Sequence, residues 1–474
     1  MIDYALAAPE IFLTAAICVV LIVDVFLRDD QRQVTYYLSM LALVGAAIMS
    51  AVYGVDSAAT TFSGSYVADP AGNALKLFAY LVVALVFLYS RDFLEQNGLF
   101  KGEFFVLGLF GLLGLMIMIS GNNLLVLYLG LELQALSLYA LIAFNRDSAR
   151  SAESAMKYFV LGSIASGMLL YGISLLYGIT GTIELAPLAQ ALGEPGGLTV
   201  PAILALAFIV VGVAFKFGAV PFHMWIPDVY EGAPTPIALY VGSAPKIASF
   251  ALMWRVLVEG MGPMHVDWQG MLIVLCVLSL VIGNLLAIVQ TNFKRMLGYS
   301  TIAHVGFILM GFIAGDETGV ANAMYYTIVY VLMATAAFGM IILLSRRGFE
   351  AEKLDDFKGL NQRSPWFAFV MLLIMFSMTG VPPLVGFYAK LVVLQSVIEA
   401  GLVWLAALGV LFAVIGAFYY LRIVWYMYFA EPAEQTALAA APDMRIAISV
   451  NGLGLLALGL FPGMLLNLCA TVLA

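Results

Sequence analysis

The sequence predicts an all-α polytopic membrane protein of about fourteen transmembrane helices, with two inverted five-helix repeats that each contain a broken helix. Three observations carry this. Of 474 residues, 63% are hydrophobic and 11% charged, against roughly 45–50% apolar and 25% charged in soluble domains. Apolar stretches of about 18 or more residues follow one another from Glu10 onward, each long enough to cross ~30 Å of hydrocarbon. Finally, two distant stretches of the chain resemble each other, each followed by a proline-interrupted apolar run.

Taken in order, window length and breaker residues place three spans at 10–27, 34–54 and 73–91, an N-terminal segment within residues 1–102. A first repeat, 103–261, holds spans at 103–120, 122–145, 152–178, 200–226 and 236–259. An inverted second repeat, 262–431, holds 268–291, 296–314, 319–346, 365–400 and 402–430, and a C-terminal helix at 444–471 closes residues 432–474. Loop charge justifies these boundaries. Alternate loops carry Arg28 and Arg32; Arg91 and Lys101; Arg146 and Arg150; Lys294 and Arg295; a group from Arg346 to Arg363; and Arg445. The intervening loops carry Asp56, Asp69, Glu184, Glu194, Asp267, Asp316, Glu317 and Glu399 instead. Only the loop around Asp228 to Pro234, on the basic side, lacks lysine and arginine. The asymmetry predicts that the basic loops are cytoplasmic and both termini periplasmic. The N-terminus, with Asp3 and Glu10 and no basic leader, reads as uncleaved.

The repeat rests on AESAMKYFVLGSIASGMLLYGISLL (152–176) against VANAMYYTIVYVLMATAAFGMIILL (320–344), and on FGAVPF (217–222) against TGVPPL (379–384). Both matches share an offset of about 160–170 residues. A five-helix block is odd, so its second copy enters the membrane from the opposite side, the signature of inverted-topology transporters. Pro221 cannot donate a hydrogen bond, and its ring displaces the carbonyl of Phe217. Pro382 and Pro383 do the same to Met378 and Thr379, and Pro245 to Val241. Freed backbone groups in hydrocarbon cost several kcal/mol unless protein or water satisfies them, so the breaks point to internal polar cavities.

Seven cations lie within spans: Lys76, Lys157, Lys216, Lys246, Arg255, Lys390 and Arg422. Lys76, Arg255 and Arg422 are close enough to helix ends to snorkel, and Lys157, ~8 Å from its helix start, can do so too. Lys246 and Lys390 are each ~15 Å from the nearer end, and Lys216 and Glu132 are as deep. An isolated mid-membrane charge costs from ~3 to more than 10 kcal/mol, so such groups need partners, water or neutral forms and are functional by default. Desolvation favours the neutral form and an opposite charge the ionised form. A lysine beside a movable carboxylate therefore switches between holding and releasing a proton. The expected relay has Glu132 pairing with Lys216, then Lys246 and His304 passing charge to Lys390. Lys157 and His223 are secondary candidates.

Other classes are excluded by what is missing. No basic patch interleaved with aromatics suggests nucleic acid. Cys18, Cys276 and Cys469 lie alone in apolar runs, read as small buried hydrophobes, with no CxxC for zinc or iron–sulfur. His223, His265 and His304 are in separate segments. There is no GxxxxGK or GxGxxG. Neither a cofactor nor a metal is expected in this chain.

AESAMKYFVLGS, FKFGAVPFHMWIPDVYEGAPTPI and LDDFKGLNQRSPWFAFVMLLIMFSMTGVPPLVGFYAKL resemble the antiporter-like membrane subunits of respiratory complex I, and the resemblance covers nearly the whole chain. The opening LAAPEIFLTAAICVVLIVDVF and the length are closest to one branch of that family. The resemblance matches Glu132 to the fifth-helix glutamate, Lys216 to the lysine of the broken seventh helix, Lys246 to that of the eighth and Lys390 to the terminal ionisable residue of the broken twelfth. A related branch has glutamate at this last position, and another ends in a long amphipathic arm. The resemblance implies a proton-translocating subunit, in a bacterial inner membrane, whose FMN, iron–sulfur clusters and quinone belong to partner subunits. The implied partners are other complex I membrane subunits, neighbouring antiporter-like subunits included, and the lipid bilayer. Two alternatives stand: a subunit of a multi-subunit cation/proton antiporter, which shares both broken-helix motifs, and a passive spacer.

Overall fold

The computed structural model describes residues 3–432 and 440–473. The N-terminal segment is α1 (Ala8–Phe26), α2 (Gln33–Val52), a short antiparallel hairpin of β1 (Ala59–Thr61) and β2 (Tyr66–Ala68), and α3 (Pro70–Gln96). Then come α4 (Gly102–Ser120), α5 (Leu124–Ile142), α6 (Ala149–Thr180), a lateral α7 (Leu185–Gly193), α8 (Val200–Phe217), α9 (Trp225–Gly232), α10 (Thr235–Gly242) and α11 (Ala244–Met253), which runs into a π-helix at Trp254–Gly260. The remainder is α12 (His265–Ile288), α13 (Phe293–Ala314), α14 (Glu317–Leu344), α15 (Leu360–Arg363), α16 (Pro365–Thr379), α17 (Val385–Glu399), α18 (Val403–Phe429), α19 (Pro442–Leu460) and α20 (Pro462–Leu473).

Among the described residues, 13 helices are long and apolar enough to cross a membrane. The halves α16 and α17 together make a further pass, so the expected count holds. Boundaries are set by ordinary capping chemistry. Asp69, Asn123, Ser148, Thr199, Asn292 and Asp316 each accept a backbone N–H at a helix start, and Gly181, Gly218, Gly315 and Gly380 end helices in the left-handed region. The last span differs from expectation: it breaks at Phe461, because Pro462 starts α20. The lateral α7 and the hairpin fall in loops the sequence left unassigned.

The helices sort by burial. The spans over Thr235–Gly260, Phe293–Ala314 and Glu317–Leu344 are almost wholly enclosed by protein, whereas fewer than half of the residues in the spans of α1, α2, α6, α18 and α19 are buried. The centre of the bundle is therefore α10, α11, α13 and α14, the helices that carry Lys246, His304 and a run of tyrosines.

Several cations departed from expectation. Lys76 does not snorkel: its side chain is 5% exposed, and its amine pairs with Glu10 at 2.5 Å and donates to Tyr66 at 3.0 Å. Arg255 is likewise buried between Asp69 and Glu259 and donates to the Ile119 carbonyl. Arg422 donates to the carbonyls of Ile288 and Gln290 at the end of α12. Lys76 and Arg255 thus take acceptors inside the protein, whereas Arg422 lies at the basic face. Cys276 and Cys469 are buried, but Cys18 is exposed on the surface of α1. The cation-free loop on the basic side also finds its reason. Arg150 pairs with Glu231, and Lys157 and Arg295 with Asp228, so neighbouring helices supply its positive charge.

Candidate functional site: a line of buried amines

Three lysines and a histidine lie inside the bundle: Lys216 6% exposed, Lys246 1%, Lys390 9% and His304 3%. Two of the amines answer the helix breaks. Lys246 Nζ donates to the carbonyl of Phe217 at 2.7 Å. Lys390 Nζ donates to those of Met378 at 3.1 Å and Thr379 at 2.7 Å. These are the carbonyls that Pro221, Pro382 and Pro383 were expected to free. Each is the C-terminal end of a half-helix, where the macrodipole favours a cation. Each amine also lies over an aromatic face, Lys246 at 5.4 Å from the Trp225 ring centre and Lys390 at 5.3 Å from that of Phe307. Gly218 and Gly380, with φ of 81° and 91°, end the two half-helices in the same way. The two breaks thus match in motif, backbone and bound amine.

At the other end of the line, Glu132 on α5 accepts from Ser166 Oγ of α6, which also reaches Tyr128 at 3.1 Å. The direct Glu132–Lys216 pair expected from sequence is not made: Lys216 Nζ is buried without a hydrogen-bond partner among the described residues. The serine takes the carboxylate instead. Beside Lys216 is a cavity of about 10 Å³, lined by Ser166, Lys216, Tyr139 and Tyr158 among others, room for about one water molecule.

A group of buried hydroxyls surrounds His304 on α13, α14 and α18. The break after α10 leaves the Gly242 carbonyl to Tyr330 Oη at 3.5 Å, and Tyr330 meets Thr301 at 2.7 Å. The rings of Tyr330 and His304 lie 5.1 Å apart. His304 Nδ1 contacts Tyr326 at 2.7 Å and Nε2 contacts Tyr420 at 3.1 Å, and Tyr420 in turn bonds Ser300. Hydroxyls and imidazole both donate and accept, so the group can pass protons wherever water completes it.

Sequence reasoning missed Ser166, Thr301, Tyr326, Tyr330 and Tyr420. Their signal was hydroxyls inside runs such as AMYYTIVYV, which also fits interfacial belts. Two secondary candidates fall outside the line. Lys157 is 45% exposed and paired with Glu153 and Asp228 on the basic face. His223 lies half-buried in the first break, its Nδ1 without a partner among the described residues. No group of three or more potential metal-ligating side chains converges among the described residues.

The chain matches the family model described as NADH:quinone oxidoreductase/Mrp antiporter, transmembrane, over residues 121–416. It is 57% identical to NADH-quinone oxidoreductase subunit N of Thioalkalivibrio sulfidiphilus across 98% of this chain and 97% of that protein. In structure it resembles a chain of respiratory complex I from Thermus thermophilus, at a TM-score of 0.84 and 31% identity, over 98% of this chain and 99% of that one. A chain of the Mrp complex from Dietzia shares the fold at a TM-score of 0.82 and 20% identity, over 100% of this chain and 97% of that one.

Proposed function

This chain belongs to the transmembrane family shared by NADH:quinone oxidoreductases and Mrp antiporters, and we propose that within it the chain is subunit N of a respiratory complex I, translocating protons. Identity of 57% to a subunit N over nearly the full length favours this over the antiporter alternative. NADH, FMN, iron–sulfur clusters and quinone belong, on this reading, to partner subunits; this chain is the non-redox translocase. Its basic face lies towards the cytoplasm of a bacterial inner membrane and both termini towards the periplasm. Residues 103–261 and 262–431 act as inverted halves, a reading supported by the matched breaks at Gly218 and Gly380.

The observation that carries the proposal is the set of polar groups inside the bundle, with gaps for water to bridge: Glu132 on Ser166, a water-sized cavity beside Lys216, Lys246, the Tyr330–His304–Tyr420 group and Lys390. The structure holds the separated arrangement, Glu132 on Ser166 and Lys216 unpartnered. Release of the carboxylate from Ser166 frees it to pair with Lys216. Pairing holds Lys216 protonated, and separation leaves a buried ammonium that is costly to keep, so the proton moves towards Lys246. His223, at the first break, flanks this step; Lys157 serves the basic face. Glu132→Ala in the intact complex, reconstituted in vesicles, is expected to assemble and to lose proton translocation. Normal proton-to-electron stoichiometry in that variant would sink the relay. Normal pumping with Lys216 and Lys390 neutralised together would favour the spacer. Extraction with small membrane partners only, and no flavin or iron–sulfur protein, would favour the antiporter.

A further inference from the structure

One cluster of titratable groups lies outside the relay. On the basic face, where the two halves of the chain meet, is a polar cavity of about 520 Å³ lined by Arg150, Glu231, Glu352, Lys353, Asp355 and Arg422 among others. Behind it lies Lys294, whose side chain is 2% exposed although the sequence places it in a loop. Its amine is 3.4 Å from Glu352 of the cavity wall. It donates to the carbonyl of Ala233, the C-cap of α9, and to Glu350, both at 2.9 Å. Glu350 in turn accepts from the backbone and side chain of Thr235, the first residue of α10. One buried amine therefore touches the cavity wall at Glu352 and the end of α9, and through Glu350 reaches the start of the broken helix that leads to Lys246.

From Lys294 inward, α13 carries Gly298 and Thr301 on the same side, at intervals of four and three residues. Thr301 already belongs with the hydroxyls around His304 through Tyr330. The gap from Lys294 to Thr301 is about 10 Å along the helix. α9 seats on this leg at Gly298, where a β-carbon would lie 3.2 Å from Pro227 Cα. Arg295 clamps α9 in that seat through Asp228 at 2.7 Å and Glu231 at 2.9 Å, and Lys157 and Arg150 hold the same two carboxylates from α6.

We propose that this cavity is the proton inlet of the chain, that Lys294 is its innermost proton-passing group, and that α9 seated on Gly298 is its shut position. The inference rests on reading the chain as a proton pump with its basic face cytoplasmic. Cavity carboxylates collect protons and Glu352 presents them to Lys294. Lifting α9 off Gly298 admits water to the leg that ends at Thr301. Because α9 joins α8 through residues 218–224, the same movement shifts the break beside Lys216. Inlet opening and the Glu132–Lys216 switch are then one motion.

Arginine distinguishes a proton-passing amine from a mere latch. It keeps the cation and its ion pairs but does not release a proton at physiological pH. In the intact complex in vesicles, Lys294→Arg is expected to assemble, oxidise NADH when uncoupled, and lose proton translocation by this chain. Wild-type stoichiometry in that variant overturns the inlet role. If arginine disrupts assembly, the pair Pro227→Cys with Gly298→Cys decides, since the two positions are within disulfide reach. The oxidised form is expected to lose pumping and regain it with dithiothreitol; equal pumping in both forms overturns the proposal. Glu132→Ala run beside them separates the failures. If it abolishes pumping while these variants do not, only the inlet falls; if it too pumps normally, the relay itself is wrong.

Discussion

Lys390 shows how one residue serves structure and chemistry together. Pro382 and Pro383 remove the donors that Met378 and Thr379 would meet in an unbroken helix, and the amine replaces both. Lys390→Met should therefore cost about 1–3 kcal/mol through unsatisfied buried carbonyls, besides its effect on pumping. Thermal unfolding of the purified protein checks this; an unchanged midpoint would mean that water already satisfies those carbonyls. The freed carbonyls were legible in the sequence, since a proline's effect on the preceding turn is local. Which donor would answer was not, because Phe217 and Lys246 are brought together only by packing. The same limit hid the partners of Lys76 and Arg255. Depth along a helix is readable from residue number, but an acceptor on another helix is not, so burial with Glu10 and Asp69 looked like snorkelling. Ser166 was invisible for a further reason: a serine in an apolar helix most often bonds its own backbone, and only the fold sets it against Glu132.

At the scale of elements, the small-residue stripe GLFGLLG marks α4 for close packing, and the structure supplies its partners. Gly108 faces Phe87 and Gly111 faces Tyr240, while Gly114 crosses α5, where a β-carbon would lie 2.5 Å from Gln134 N and 2.7 Å from Gly130 O. Neither is a flexible side-chain end, so α5 must shift, and Glu132 with it. We expect Gly114→Ala to destabilise by about 1–3 kcal/mol or more through overpacking and to impair pumping. Gly167→Ala on α6, with nothing within 4 Å of its β-carbon position, should leave both unchanged. Similar melting of the two variants would show that the α4–α5 crossing is not rigid. The passes and both paired breaks were legible because length and proline are strong signals. The division of the last span at Phe461 was missed, since Pro462 alone in a long apolar run reads as a tolerated kink.

Across the whole molecule, charge is arranged in two systems: sparse deep amines inside the bundle, and a dense strap of ion pairs on the basic face that ties residues 150–231 to residues 294–352. The alternation of loop charge showed that the strap's face exists but not how it is built, because Arg150, Asp228, Lys294 and Glu352 come from segments far apart in sequence. Within the strap, burial pushes the Glu352 carboxyl up, but Lys294 and Arg150 outweigh it and hold it below its ordinary value of 4.5. Asp228 behaves alike: burial raises it, and Arg295 and Lys157 bring it below 3.8. A carboxyl whose folded value is depressed contributes stability that is complete above its unfolded value and lost as pH falls through the folded one. Acidification from about pH 5 to about pH 3 should therefore loosen the tie between the halves while the deep amines, screened from solvent, respond little. Melting temperature against pH should fall over this range in the wild-type protein. Glu352→Gln should melt lower at neutral pH and show a shallower acid limb, since one of the two lowered carboxyls is gone. An acid limb of the same slope in the variant would mean that the halves are held by packing alone, and that the strap's charges serve only the inlet.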